Sequence, residues 1–156
     1  DRFMLHIIVG YPPFEDEVEI VMRNTVTHTA SPTKTLSPEE ILEYQQLVRR
    51  VPVAEHVVRY AVRLTRATRP GEQGTPDFVG QWVEWGAGPR ASQFLILGAK
   101  ARAILDGRYM ADISDIQALA PSVLRHRLVM NYHADAEGMS ADRLIQDLLK
   151  ALPIER

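Results

Sequence analysis

Apolar positions recur along this chain at helical spacing almost everywhere except at its start. Residues 3–10, FMLHIIVG, are apolar and β-branched on both faces, and Pro12 and Pro13 then stop the run. That pattern predicts a buried β-strand, since proline cannot continue a ladder. FEDEVEIVMRNTVTH (14–28) reads as a helix, with three acids in its first turn and a half to suit the N-terminal dipole. TASPTKT (29–35) is a polar loop. LSPEEILEYQQLVRRV (36–51) then carries a complete helix start: Ser37 as N-cap, Pro38 at N1, and Glu40 at N3 closing a capping box. Beyond Pro52, the residues Val53, Val57, Tyr60, Ala61 and Leu64 recur on one helical face.

PGEQGTPDF (70–78) is rich in turn formers and predicts a surface loop. The segment ASQFLILGAKARAILDG (91–107) is apolar almost all round, which predicts the central helix of a bundle, stopped by Gly107 at C′. ISDIQALAPSVLRHRL (113–128) predicts a helix capped by Ser114 and interrupted near Pro121, and RLVMNYH (127–133) leaves room for a short strand. SADRLIQDLLKALP (140–153) is a last amphipathic helix with Ser140 as N-cap. The expected fold is mainly α: a helical bundle of five or six helices, one leading β-strand, and room for one short late strand.

Length and charge narrow the possibilities. A chain of 156 residues is one domain, or one domain plus a piece of another, and can bury most of its unfolded surface in a single core. Cysteine is absent, which excludes disulfide scaffolds, cysteine-ligated zinc and thiol nucleophiles, and fits a reducing cytoplasmic setting. No run of about 18 apolar residues occurs, so no membrane-spanning segment is expected. The chain opens on a strand-like run without an initiator methionine, basic region or cleavage site. It is therefore expected to lack a signal peptide and to be a piece of a larger protein. A net charge of −2 supplies no general attraction for nucleic acid or an anionic membrane.

Candidate chemistry concentrates at WGAGPRAS (85–92). By turn chemistry, Gly86 and Gly88 are turn residues, Pro89 is the N1 residue of a helix, and Arg90 is a surface cation or a salt-bridge partner of Asp77 or Glu84. Against that stands the position of Arg90 at N2, where a positive charge opposes the helix dipole. A polyphosphate in front of the helix would suit both the backbone N–H groups and the guanidinium. Neither GxxxxGK[ST] nor GxGxxG is present. The five histidines form no i,i+4 pair, which argues against zinc. RHR (125–127) falls at a helix end, where basic residues ordinarily serve the dipole. Arg59, Arg63, Arg66 and Arg69 make a stripe that reads as a solvated face, with nucleic-acid binding a minority alternative because no aromatics are interleaved.

Taken in order, DRFMLHIIVGYPP, RLTRATR, WGAGPRAS, AKARAILDGR and VLRHRL resemble the motifs of MoxR-type AAA+ ATPases over residues 1 to about 132. The resemblance implies a helical lid subdomain at 13–156, preceded at 1–12 by the terminal strand of an α/β core. Walker A, Walker B and sensor 1 would then lie upstream of Asp1, so the piece alone is not expected to hydrolyse ATP. Arg90 matches the sensor 2 arginine, flanked by Pro89 and Ala91 at the nucleotide, and Arg2 resembles an arginine finger reaching a neighbouring subunit's nucleotide. ATP and Mg would be bound mainly by the core. The family further implies homo-oligomeric rings, typically hexamers, acting as remodelling chaperones, often beside von Willebrand A-domain proteins. Gly88 stands where the family commonly has serine, a change that leaves the arginine in place. A stand-alone helical protein-interaction adaptor is the alternative.

Overall fold

A computed structural model describes residues 2–26 and 31–154. The described residues form eight helices and two short strands. Two amphipathic helices come first, α1 (Phe14–Asn24) and α2 (Pro38–Arg50). The core helices are α3 (Glu55–Arg66), α5 (Pro89–Leu105) and α6 (Ile113–Leu124). A smaller layer holds α4 (Asp77–Trp82), β1 (Val83–Trp85), β2 (Val129–Met130) and α7 (Tyr132–Glu137), and α8 (Ala141–Ala151) closes the bundle. The mainly α fold thus agrees with the sequence, with short helices at 77–82 and 132–137 added to the five or six expected.

The central position expected for 91–107 is observed: α5 packs against α2, α3 and α6. Ala91, Leu95, Gly98, Ala99 and Ala103 are buried along it, a face of small residues that lets its neighbours approach closely. They meet Val57, Tyr60, Ala61 and Leu64 from α3, Ile116, Ala120 and Val123 from α6, and Leu144, Ile145 and Leu148 from α8 in one apolar core. By contrast, α1 and α2 bury no residue, although both are amphipathic.

Three expectations are corrected. The leading run makes no strand among the described residues; Phe3, Ile7, Ile8 and Val9 are exposed, because no neighbouring strand lies beside it to pair with. Helix α6 is capped by Asp112, not Ser114: Asp112 and Asp115 form the reciprocal box, with Asp115 Oδ2 accepting from the Asp112 N–H at 2.9 Å. Nor does Pro121 interrupt α6, which continues to Leu124. Proline there removes one ladder bond, and packing of α6 between α5 and α8 holds the helix together across the gap. The Ser37–Glu40 capping box, the Ser140 cap and Gly107 in the left-handed region (φ 71°) are observed as expected. The helix beginning at Phe14 ends at Asn24, and residues 27–30 lie outside the described residues.

Candidate functional site

Arg90 owes its position to a turn fixed from three sides. On the first side, Gly86 presses against the chain that leaves α3. A Cβ placed on Gly86 would lie 2.4 Å from the Thr68 carbonyl oxygen and 2.7 Å from Arg69 Cα, so only glycine fits. On the second, the Ala87 N–H donates to Thr68 Oγ1 at 2.8 Å, and Arg69 Nε donates to the Ala87 carbonyl at 2.8 Å. On the third, β1 runs into the turn and pairs antiparallel with β2, Val83 opposite Met130 and Trp85 opposite Val129, with a register irregularity between. Asn131 reinforces that pairing through its N–H to the Trp82 carbonyl and its side-chain amide to the Gln81 carbonyl. The turn therefore joins three parts of the chain before α5 begins. Gly88, the N-cap, has open space around it and an ordinary φ of −79°, so a serine side chain would fit there.

Gly86→Ala is expected to cost about 2–4 kcal/mol, because backbone rather than a flexible side chain must yield. Gly88→Ser should be neutral or stabilise by a few tenths of a kcal/mol as a better N-cap. Urea unfolding of the two variants checks the pair; equal stabilities would refute the fixed-turn account.

Helices α5 and α6 form an antiparallel hairpin. Its register appears in Arg102 with Asp115 at one end, Gly98 against Leu119 in the middle, and Phe94 under Arg127 at the other. The start of α5 thereby meets the end of α6, and Gly88, Pro89, Arg90 and Ala91 line an open cleft of about 360 Å³ with His126, Arg127 and Val129. Among the described residues no carboxylate lines it, and no side chain caps α5. Burial pushes the Arg127 guanidinium below its ordinary pKa, and the nearby Arg90 charge pushes the same way. These features suit an anion.

The RHR corner (125–127) does more than the dipole role expected of it. The Arg127 guanidinium, 9% exposed and 5.1 Å above the Phe94 ring, donates to the carbonyls of Val123, Phe3 and Met4. His126 Nε2 lies 3.1 Å from the Phe3 carbonyl, which only accepts, so that nitrogen carries the proton. Arg125 donates to the His6 carbonyl at 3.3 Å and pairs with Asp142 at 3.0 Å. Burial lowers the His126 pKa and the charges of Arg127 and Arg125 add to that, so the ring favours its neutral form. Sequence reasoning missed this corner because most of its partners are backbone carbonyls more than a hundred positions away. Arg2 sits just before Phe3, exposed and outside the residues lining the Arg90 cleft.

The arginine stripe on α3 is internally engaged: Arg59 pairs with Glu55, Arg66 with Glu72, and Arg69 with Glu72 and the Ala87 carbonyl, while Arg63 reaches the Pro153 carbonyl. Among the described residues no helix is long and apolar enough to cross a membrane, and no group of three or more His, Asp or Glu could hold a metal ion.

Comparison with known proteins gives the same assignment. Residues 79–148 match the AAA lid domain family. The chain is 38% identical over 154 residues to Chaperone MoxR1 of Mycobacterium tuberculosis, covering 99% of this chain and 41% of that protein. It is 34% identical over 97 residues to Protein MoxR of Methylorubrum extorquens, covering 60% of this chain and 27% of that one. A crystal structure from Cytophaga hutchinsonii, of a protein assigned as an ATPase, matches with a TM-score of 0.89 and 31% identity over 99% of this chain and 47% of that one. The chain thus spans less than half the length of these relatives. With the lid family over its second half and MoxR-like sequence from end to end, the chain belongs to the MoxR-type AAA+ ATPases and carries their lid domain.

Proposed function

We propose that this chain is the nucleotide-sensing lid of a ring-forming AAA+ ATPase, coupling ATP binding and hydrolysis to chaperone-like remodelling of partner proteins. Residues 1–12 are assigned to the edge of the α/β core and 13–156 to the lid. The exposure of Ile7, Ile8 and Val9 supports that division, since a run apolar on both faces needs cover from outside the described residues.

The observation that carries the reading is Arg90, held at the second position of an uncapped 17-residue helix by a turn that tolerates little change. In this role Arg90 is sensor 2, and the backbone of Pro89, Arg90 and Ala91 faces the terminal phosphates. The site's arginines and helix end fit a polyphosphate. With no carboxylate among the described lining residues, Mg would be held by the rest of the protein. Bound ATP supplies the phosphoryl group. Arg90 would neutralise developing charge on the γ-oxygens, and the helix N-terminus would orient them. A hexameric ring and a von Willebrand A-domain partner belong to the same reading, as does a cytoplasmic location.

Arg90→Ala in the full-length protein is expected to lower ATP turnover roughly 10²–10³-fold, the usual cost of removing one preorganised donor. Circular dichroism should stay unchanged, since Arg90 is exposed. Steady-state turnover decides it: a rate within twofold of wild type would sink the sensor role. The rival reading, a stand-alone helical adaptor, draws on the unburied apolar faces of α1 and α2. A GxxxxGK[ST] motif upstream in the parent reading frame would exclude it.

A further inference from the structure

Helix α5 starts without a cap of its own. Gly88 has no side chain to accept from the first-turn N–H groups, and Pro89 has no N–H to anchor. The grip on the helix start comes instead from the chain that leaves α3, and it closes on one residue. Ala87, buried and three places before Arg90, donates its N–H to Thr68 Oγ1 and accepts from Arg69 Nε, both at 2.8 Å. Thr68 is fully buried and donates its own hydroxyl to the Thr65 carbonyl at 2.6 Å, which leaves its oxygen lone pairs for Ala87. Arg69 is seated in turn by Glu72, whose carboxylate lies 3.4 Å from Arg69 Nη1 and takes Arg66 at 2.6 Å. The loop carrying Glu72 folds back on the end of α3: the Glu72 N–H and Thr75 Oγ1 both donate to the Arg69 carbonyl, at 3.4 and 3.0 Å. Residues 69–75 thus form a mount for one guanidinium.

We propose that Arg69, seated by Glu72, is a positioning residue for Arg90: with Thr68 it holds Ala87 at both its N–H and its C=O and takes the place of the missing helix cap. The proposal rests on the sensor role assigned to Arg90. An exposed arginine on the first turn of a helix points where that turn points, and this turn is tied to α3 through Ala87. Contact between Gly86 and Thr68 resists movement of the turn toward α3, but nothing in that contact resists movement away. The Arg69 bond does. Without it the peptide before Gly88 can tilt, which swings the Arg90 guanidinium off the phosphate it serves.

The test is a double-mutant cycle in the full-length protein, Arg69→Met against Arg90→Ala, read by ATP turnover and Tm. R69M keeps the apolar stem and removes the donors. With Arg90 present it should lower turnover about tenfold well below Tm, and R69K, which can still donate to the Ala87 carbonyl, should recover part of the loss. With Arg90 already replaced, R69M should change the residual rate by less than about twofold while lowering Tm as much as it does in the wild type. R69M turnover within about twofold of wild type, where R90A is impaired, overturns the positioning role. So does a loss of about tenfold that persists in the R90A background, because it then does not run through Arg90. If R90A itself turns over at the wild-type rate, the sensor reading falls and the positioning role falls with it. Should R69M not fold, Glu72→Gln takes its place in the cycle, since it weakens the hold on Arg69 from a partly exposed position. Turnover must then drop at least about threefold with Arg90 present and less than about twofold without it, and any other pattern overturns the proposal.

Discussion

Replacing Arg2 by alanine in the full-length protein is expected to slow ATP turnover by about 10³–10⁵-fold, the range for loss of an arginine finger. The expectation depends on acting across a subunit boundary. Arg2 is exposed and outside the cleft that Arg90 lines, so it is poorly placed to serve the same nucleotide. Its neighbours Phe3 and Met4 are nonetheless tied to the lid through Arg127, which gives an exposed arginine a defined base. A guanidinium so mounted can present two donors to phosphate oxygens without first ordering its backbone. Folding should be unaffected, since an exposed side chain contributes little to stability. The measurement is turnover of rings mixed from Arg2→Ala subunits, competent in their own sites, and Walker-A-dead subunits with intact Arg2. Activity should reappear in the mixture. Rings that assemble normally yet stay inactive at every ratio would remove the trans assignment.

The helices that build the lid were legible because each carried its own signal. Ser37, Pro38 and Glu40 announced α2, Gly107 ended α5, and the spacing of Val57, Tyr60, Ala61 and Leu64 marked the buried face of α3. What escaped notice depends on distant partners. The three-residue strand at Val83–Trp85 is too short to show a period and exists only because it meets Val129–Met130, which falls in the 127–133 run where a short strand was expected. The Asp112 cap was hidden by an aspartate at the position where glutamate is the usual sign. FMLHIIVG has the composition of a core strand without a partner to pair with, so its pattern reports an environment beyond the described residues. At the site, Arg90 was conspicuous as a cation where the helix dipole disfavours one. Gly86 looked like any turn glycine until Thr68 was found against it. The carbonyl ligands of Arg127 have no side-chain signature at all.

Asp115→Asn is expected to destabilise the lid by about 3 kcal/mol, the low end for breaking a buried ion pair, because both arginine partners keep partial access to water. The Asp115 side chain is 1% exposed and receives Arg108 bidentately, at 2.6 and 2.9 Å, with Arg102 Nε at 3.2 Å. It also closes the α6 capping box, so one carboxylate joins the end of α5, the turn at 106–108 and the start of α6. Asparagine keeps the shape but turns one acceptor into a donor facing a guanidinium that can only donate. Burial acts to raise the carboxyl pKa. The hydrogen bonds from Arg108 and the Asp112 N–H, with the charges of Arg108 and Arg102, outweigh it and hold the group below the ordinary aspartate value. A depressed folded pKa means the stabilisation is fully present above the unfolded value, near 3.9, and is lost as pH falls through the folded one. The gap in Tm between wild type and D115N, roughly 6–12 °C for a chain of this size, should therefore hold from pH 7 to about 5 and shrink below about 4. A gap unchanged at pH 3 would assign the loss to packing instead of charge. The functional consequence follows from the hairpin geometry: Asp115 pairs with Arg102 toward the far end of α5, about 18 Å along the helix axis from Arg90 at 1.5 Å per residue. Loosening it should lower stability while leaving the turn before Arg90 intact, so turnover below the melting temperature should survive a change that Arg90→Ala is expected not to tolerate.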